Sequence, residues 1–327
     1  MKLLLELSME CEPLARADAL AACEALGHRA RVLRHEPGVL IIETRADALR
    51  LAARVGLCHY VSEWLGSCPP DELGAHASGI DVEGPIRVRA TKVGTISPDL
   101  AEATRVVGGV IGRGKGVDLR HPKTDIRIVF SRCVHIGRVI GTVDRSSFER
   151  RKNRYMPFTY PASLHPKYAR ALVNLSRAAP GGRMLDPFCG TGAVLAEAAL
   201  VGAVPVGSDI SEEMIEGARK NLHHLGLRSE LLVSDVGRVP EVVGSVDSIA
   251  TDPPYGRSAS TKGESLPKLY ARAFSAFAQV LEKGAYVGLV VPRKSLLDAA
   301  DDFVVIETHP LYVHGSLTRH FCALKRG

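Results

Sequence analysis

The segment Leu185-Asp186-Pro187-Phe188-Cys189-Gly190-Thr191-Gly192 follows a strand-like run and leads directly into the alanine-rich stretch Ala193 to Leu200. Two glycines between a strand and a helix permit a tight turn and let backbone approach a ligand closely, the unit of a doubly wound sheet. The surrounding texture agrees. From about Tyr160, apolar runs at 183–185, 205–207, 229–233, 248–250 and 286–291 alternate with helix-like segments. That alternation predicts a mostly parallel sheet with helices on both faces. Phe303 to Glu307 and His320 to Leu324 read as a closing antiparallel pair.

Acids stand at successive strand ends. Asp186 lies in the glycine turn, Asp209 ends the next run and Asp235 the third. A carboxylate at Asp209 suits both ribose hydroxyls of an adenosine, and one at Asp235 the adenine amine. Helix capping is the competing role for each. The turn has no third glycine two residues beyond Gly192, so a nicotinamide dinucleotide fits it poorly. Cys189 sits inside the turn with no base evident beside it and reads as packing.

The fourth run ends abruptly in Asp252-Pro253-Pro254-Tyr255. Two prolines fix φ, remove two backbone donors and impose an extended path. The Asp252 carboxylate and the Pro253 carbonyl are then acceptors suited to the two N–H bonds of one amine, and Tyr255 to stacking on the base that carries it. An exocyclic base amine is a poor nucleophile because its lone pair is delocalised into the ring. Holding both hydrogens out of plane frees that lone pair for in-line attack on a methyl sulfonium. Asp252 also offsets the charge growing on nitrogen and can take the proton. A rigid turn with a capping aspartate is the alternative.

The 327 residues suffice for two or three domains with a good-sized core. No apolar run approaches the ~18–20 residues of a membrane helix. The start is too short and too soon charged for a secretory signal, which points to the cytoplasm without membrane association. The seven cysteines show no C-x-x-C pair, and no residues are assigned to a metal. A Cys58–Cys68 disulfide is conceivable in a hyperthermophile. The net charge of +6 is unevenly spread: residues 1–86 carry −5, residues 87–154 carry +10 and residues 155–327 carry +1. A basic band of this kind attracts phosphate, and Arg87, Arg89, Lys92, Arg113, Lys115, Arg120, Lys123, Arg150, Arg151 and Lys152 are its candidate RNA contacts. A solvated charged face is the plainer alternative.

Upstream, residues 3–7 read as a strand, Pro13 to Leu26 as a helix closed by Gly27, Gly38 to Glu43 as a strand and Ala46 to Val55 as a helix. This order suggests a small ferredoxin-like α+β unit. Ile86 to Thr91, Val117 to Leu119, Thr124 to Phe130 and Cys133 to Val139 read as strands, and Pro98 to Ile111 as a helix. Arg145 to Tyr155 is basic and poorly periodic and reads as linker. The Gly/Ser/Lys-rich segment Arg257 to Pro267 has the composition of a loop that closes over substrate.

These residues resemble a known family. Asp252-Pro253-Pro254-Tyr255 is similar to the (D/N/S)-P-P-(Y/F/W) signature of amino-methyltransferases, and Asp186 to Gly192 to their cofactor loop. Val88 to Lys92 and Val117 to Ile126 resemble THUMP RNA-binding domains. Pro161 to Arg170 resembles the family's lead into the cofactor domain, and His314 to Arg319 its C-terminal hairpin. End to end, the chain resembles the archaeal tRNA guanine-10 N2-methyltransferases.

The resemblance implies an α/β fold: a ferredoxin-like α+β domain (1–52), a THUMP domain (53–144), a basic linker (145–160) and a Rossmann-like methyltransferase domain (161–327). It implies an S-adenosyl-L-methionine site made by Ser163, His165, Asp186, Phe188, Gly190, Gly192, Asp209, Ile210, Asp235 and Val236. It implies tRNA as partner and one or two methyl transfers to a single amine; a small zinc-binding activator of the kind eukaryotic relatives use is a candidate further partner whose need the sequence leaves open, and a monomer is the expected state. The alternatives are an N2-guanine or N6-adenine methyltransferase acting elsewhere in tRNA, rRNA or DNA, and an RNA-binding module without activity.

Overall fold

The structure is a computed structural model that describes residues 1–161, 163–255, 263–314 and 317–327. The chain forms two compact units. Unit 1 comprises residues 1–16, 28–53 and 58–143, and unit 2 residues 17–27, 54–57 and 144–327. No helix among the described residues is long and apolar enough to cross a membrane.

Unit 1 is built on one seven-stranded sheet. Its strands are β1 (Lys2–Leu7), β2 (Ala30–Glu36), β3 (Val39–Thr44), β4 (Cys58–Cys68), β5 (Ile86–Lys92), β6 (Thr124–Phe130) and β7 (Val134–Thr142), in the order β2-β3-β1-β4-β7-β6-β5. Only β5 and β6 run parallel, with Val88 opposite Ile126. The expected boundary at residue 52 thus falls within a unit whose sheet is continuous. In chain order the helices begin with α1 (Glu12–Ala25), α2 (Ala48–Arg54) and α3 (Leu73–Ser78), and α4 (Leu100–Ile111) places Ala103, Val107 and Ile111 against Ile86, Val88, Ile126 and Ile128. That is one stripe of an amphipathic helix on one face of a sheet. Asp99 caps it, accepting from the amides of Ala101 and Glu102 at 3.0 Å. Inside the sheet, Arg127 donates twice to Glu6, at 2.8 and 2.7 Å, and lies 4.4 Å over the Tyr60 ring. Both charges are buried, and the bidentate geometry satisfies them.

Three expectations need correction. Val117 to Leu119 is not a strand: Val117 makes a single bridge to Ile86. Asp118 Oδ1 accepts from the amides of Arg120 and His121 instead, closing a turn. The stretch 145–155 is not featureless linker. Asp144 caps helix α5 (Arg145–Arg150) by accepting from the Ser147 amide at 3.1 Å, and Phe148 is buried. The Cys58–Cys68 pair is excluded. Both are thiols, at opposite ends of β4, roughly 30 Å apart at ~3.3 Å per residue.

Unit 2 is the doubly wound sheet anticipated. Its strands are β8 (Arg183–Asp186), β9 (Val204–Asp209), β10 (Glu230–Val233), β11 (Val246–Thr251), β12 (Leu281–Val291), β13 (Phe303–His314) and β14 (Leu317–Arg326), in the order β10-β9-β8-β11-β12-β14-β13. The first five are parallel, and β14 joins β12 and β13 antiparallel. Helix α6 (Pro166–Leu175) precedes the sheet; α7 (Ala193–Leu200), α8 (Glu212–His224), α9 (Val239–Val243) and α10 (Leu266–Val280) are the crossovers. Residues 184–186 of β8, 248–251 of β11 and 287–291 of β12 are buried without a break, as strands covered on both faces are. The segments 17–27 and 54–57 join this unit through buried polar bonds. Asp18 accepts from the amides of Gly56 and Leu57, both at 2.9 Å, and from Asn174 Nδ2 at 2.7 Å; Arg54 Nε donates to Asn174 Oδ1 at 2.8 Å.

Candidate active site

Strands β8 and β11 are adjacent and parallel, with Met184 opposite Ser248 and Leu185 opposite Ile249. From β8 the chain winds outward to β9 and β10; from β11 it winds the other way to β12. The switch point therefore lies between the two strands whose ends carry the glycine turn and Asp-Pro-Pro-Tyr. Open α/β sheets bind their ligands there, beyond the carboxyl ends of the strands.

Asp186 ends β8 and is 1% exposed. Thr251 Oγ1 donates to its Oδ1 at 2.7 Å, and the Phe188 amide donates at 3.2 Å. Burial pushes its pKa up to about 7 against the pull of these two bonds. It is a support beneath the turn. Above it, Gly190 and Gly192 take φ of +48° and +83°, a region that disfavours side chains. A Cβ on Gly190 would meet nothing within 4 Å, so this backbone borders space a ligand can enter.

Asp209 ends β9. Its two oxygens accept from the amides of Gly190 at 3.0 Å and Ser211 at 2.9 Å. A carboxylate oxygen can accept from more than one donor, so Asp209 shapes the turn and still suits two hydroxyls. Asp235 is more committed. It caps the turn Val236–Arg238 through the Gly237 amide at 2.8 Å, and Arg272 holds both its oxygens, at 2.5 and 3.2 Å. The capping alternative describes what Asp235 does here. Ile210 is exposed, Phe188 is partly buried against the core and Val236 is buried. Ser163 Oγ lies 2.9 Å from Thr191 Oγ1, beside the glycine turn. His165 caps α6, its Nδ1 accepting from the Lys167 amide at 3.2 Å, with Nε2 3.4 Å from Glu149. A crevice lined by Ser163, Leu164, Thr191, Gly192, Ala193 and Leu222 flanks the turn; none of the four acids lines it.

Asp252 follows β11 immediately. The Tyr255 hydroxyl donates to its Oδ1 in a short hydrogen bond. Arg319 Nε, on β14, donates to the Tyr255 oxygen at 3.1 Å, and its guanidinium reaches within 4.0 Å of Asp252 Oδ2. Burial pushes the Asp252 pKa up to about 6, restrained by Arg319 and then by the Tyr255 bond. Burial pushes the Tyr255 pKa far up as well, followed by the charge of Asp252, so its hydroxyl stays protonated. Sequence reasoning missed Thr251 and Arg319. Thr251 directly precedes the signature, and Arg319 lies in the quoted hairpin segment, but nothing in their spacing links them to Asp186 or Asp252.

Residues 153–320 match the UPF0020 family, the RMKL-like methyltransferase domain. Across 337 aligned residues the chain is 33% identical to the tRNA (guanine(10)-N2)-dimethyltransferase of Methanothermobacter thermautotrophicus, with 100% of both chains covered. The chain belongs to the archaeal tRNA (guanine-10-N2)-methyltransferase family. The enzyme of the same description from Pyrococcus abyssi is 33% identical over 298 residues, covering 88% of this chain and 89% of that one. The crystal structure of TrmN from Thermus thermophilus shares the fold, at a TM-score of 0.56 and 24% identity with both chains fully covered.

As a member of this family the chain uses S-adenosyl-L-methionine. The residues present fit that cofactor: open backbone at Gly190, hydroxyl-accepting capacity at Asp209, and a partly buried aromatic at Phe188.

The candidate RNA contacts divide between the units. In unit 1, Arg113 and Arg120 are exposed, as is Lys92, which donates to Ser97 at 2.8 Å. Arg87 and Arg89 share Asp125 at 2.7 and 2.6 Å, Lys115 meets Asp81 at 2.6 Å and Lys123 meets Glu83 at 2.6 Å. In unit 2, Arg150 pairs with Asp144 at 3.3 Å and Lys152 with Glu149. Arg151 is a correction. It donates to Glu197 at 2.7 and 3.1 Å, Glu197 is 1% exposed, and Arg170 meets the same carboxylate at 2.7 Å. A buried carboxylate demands this pairing, which withdraws Arg151 from RNA. Residues 257–262 of the expected closing loop, Ala162, and Gly315-Ser316 of the hairpin lie outside the described residues.

Proposed function

We propose that this chain transfers methyl groups from S-adenosyl-L-methionine to the exocyclic N2 amine of guanine 10 in tRNA, giving N2-methylguanosine and, on a second turnover, N2,N2-dimethylguanosine. The observation that carries the reading is the juxtaposition of the two turns: the glycine turn and Asp252-Pro253-Pro254-Tyr255 end neighbouring parallel strands, tied by Thr251 and Asp186. The full-length relatives named for guanine-10 N2 chemistry support the substrate.

The cofactor supplies an electrophilic methyl group on positively charged sulfur. The chain's own residues do the rest. Gly190 and Gly192 would admit it at the backbone, and Asp209 would receive its ribose hydroxyls while keeping its bonds to Gly190 and Ser211. Asp252 and the Pro253 carbonyl accept the two N–H bonds of the guanine amine, localising the nitrogen lone pair for in-line attack. As the N–C bond formed, the methyl–sulfur bond would break with its electron pair left on sulfur and the positive charge would pass to nitrogen, where the Asp252 carboxylate stabilises it and takes the proton. Tyr255 occupies one Asp252 oxygen in this structure, so the amine displaces the hydroxyl, which Arg319 retains. Arg319 is thus a positioning residue. It holds Tyr255 and lowers the cost of keeping a buried Asp252 ionised.

A guanine in a tRNA stem hides its amine, so the base must leave the stack, at a cost of about a few kcal/mol. Phosphate contacts from the basic band offset that cost. The reading assigns residues 1–52 to a ferredoxin-like domain, 53–144 to THUMP, 145–160 to a basic connection that carries α5, and 161–327 to catalysis, in a cytoplasmic monomer. The test is methyl transfer from labelled S-adenosyl-L-methionine to an unmodified tRNA transcript, with the labelled nucleoside identified after digestion. Label in N2-methylguanosine mapped to position 10 is expected; label in an adenine nucleoside overturns the substrate. No turnover until a small zinc-binding activator is added would show that the chain needs that partner.

A further inference from the structure

Two hairpins of unit 1, far apart in sequence, bring their tips together. Strand β2 ends at Glu36, and β7 begins just after Cys133. Ser131 Oγ donates to the Pro37 carbonyl at 2.8 Å, and the Arg132 amide donates to Glu36 Oε2 at 2.9 Å. Three side chains meet at this junction: His135, fully buried, Glu36, buried, and Cys133, partly buried. His135 Nε2 lies 3.2 Å from Glu36 Oε2 and 3.5 Å from Cys133 Sγ, and Cys133 Sγ lies 3.7 Å from Glu36 Oε1.

These separations have a chemical meaning. Zinc bonds of about 2.3 Å to sulfur and about 2.0–2.1 Å to nitrogen and oxygen, set at tetrahedral angles, put the ligand atoms about 3.3 Å (N to O) and about 3.5 Å (S to N or O) apart. The two distances from His135 Nε2 follow that pattern, to Glu36 Oε2 and to Cys133 Sγ; the sulfur meets the other carboxylate oxygen, Oε1, at 3.7 Å, and the three residues offer ligand atoms that all lie within 4.8 Å of one another. The second ring nitrogen is also placed for it. His135 Nδ1 lies 2.7 Å from Ser67 Oγ, which accepts the Trp64 indole N–H at 3.1 Å. With Nδ1–H donated to Ser67, the Nε2 lone pair faces the other two ligands, the usual arrangement behind a metal-bound imidazole.

We propose that Glu36, Cys133 and His135 bind one divalent transition-metal ion of the zinc type, clamping the β2–β3 hairpin to the β6–β7 hairpin. Three protein ligands are the count of a zinc site with one exchangeable position. Arg34 explains how the cluster stays neutral without the ion. Its Nη1 lies 3.0 Å from Cys133 Sγ and 3.1 Å from Glu36 Oε1, so the guanidinium balances the Glu36 carboxylate while Cys133 keeps its proton. On binding, Cys133 loses that proton to solvent, and the ion's two charges are met by carboxylate and thiolate. Arg34, about half exposed, then swings outward. Arg34 and the metal thus compete for the same thiol and the same carboxylate. The ligands come from separate hairpins, and Cys133-x-His135 by itself matches no metal spacing, so the sequence concealed them.

The test uses the full chain, stripped with chelator, kept reduced and titrated with Co²⁺. Expected are one equivalent bound, a thiolate-to-cobalt charge-transfer band in the near ultraviolet, visible bands of a four-coordinate site, release of about one proton per ion, and bleaching on addition of Zn²⁺. Cys133→Ser should abolish the charge-transfer band. Arg34→Ala should tighten binding about tenfold by removing a competing charge. Absence of the band in the wild-type chain, a band that survives Cys133→Ser, or an Arg34→Ala variant that binds no more tightly would each overturn the proposal. The wild-type titration decides the point even if a variant folds poorly.

Discussion

Thr251 Oγ1 donates to Asp186 Oδ1 at 2.7 Å, joining the residue just before the catalytic turn to the residue beneath the cofactor turn. Both groups are buried, and the bond crosses between β8 and β11 where the winding reverses. The two turns therefore share a rigid base. Thr251→Val keeps the volume and removes the donor. It should cost about 1–3 kcal/mol of stability, because a buried polar group is left short of a partner. Denaturant unfolding measures it, and methyl transfer should fall with it.

That bond also sets a pH dependence. Asp186 has a folded pKa of about 7, above its unfolded value of ~3.9. Its contribution is fully present below about pH 4 and is lost as the pH rises towards 7, because the unfolded state ionises first. Losing the Thr251 bond, which favours the ionised form, should extend this window to higher pH. Unfolding free energies of wild type and Thr251→Val across pH 4–8 test the sign.

Asp252 must be ionised to accept the amine's hydrogens. With its pKa pushed up to about 6, the rate should rise with pH through about 6 and then level. Arg319→Gln removes the opposing charge and should move that limb upward by about one unit or more. A limb unmoved in Arg319→Gln, with only KM altered, would assign Arg319 to substrate binding instead.

Asp252→Ala should lower kcat by about 10³-fold while cofactor affinity stays within a few-fold of wild type. Asp209→Ala should act first on the cofactor, raising its dissociation constant about 10–100-fold, because two backbone amides and the ribose lose a charged acceptor together. Equilibrium binding and single-turnover rates separate the two.

The basic residues should divide by burial. Arg113→Ala and Arg120→Ala should weaken tRNA binding and reduce the slope of log K against log salt by roughly 0.7–0.9 for each phosphate left unneutralised. Arg151→Ala should leave that slope alone and lower stability by about 3 kcal/mol, the low end for breaking a buried pair, since Arg170 still meets Glu197.

The glycine turn, Asp252-Pro253-Pro254-Tyr255 and the alternating runs of unit 2 were legible because their constraints are local. Positive φ selects glycine, proline fixes φ and deletes donors, and parallel strands covered on both faces must be apolar. The same local logic erred where nearby polar groups rearranged the backbone. Asp118 turned an apparent strand, and Asp144 with the buried Phe148 made a helix of an apparent linker. Residue identity placed Asp209, Asp235 and Asp252 at strand ends without showing what else their carboxylates hold. Tertiary structure decided that Asp235 caps and binds Arg272, that Arg151 serves Glu197, that Thr251 and Arg319 support the catalytic turn, and that Glu36 meets Cys133 and His135. Apart from the local Asp235 cap on Gly237, each of these pairings joins residues tens of positions apart, brought together by strand order and burial, which no spacing along the chain encodes.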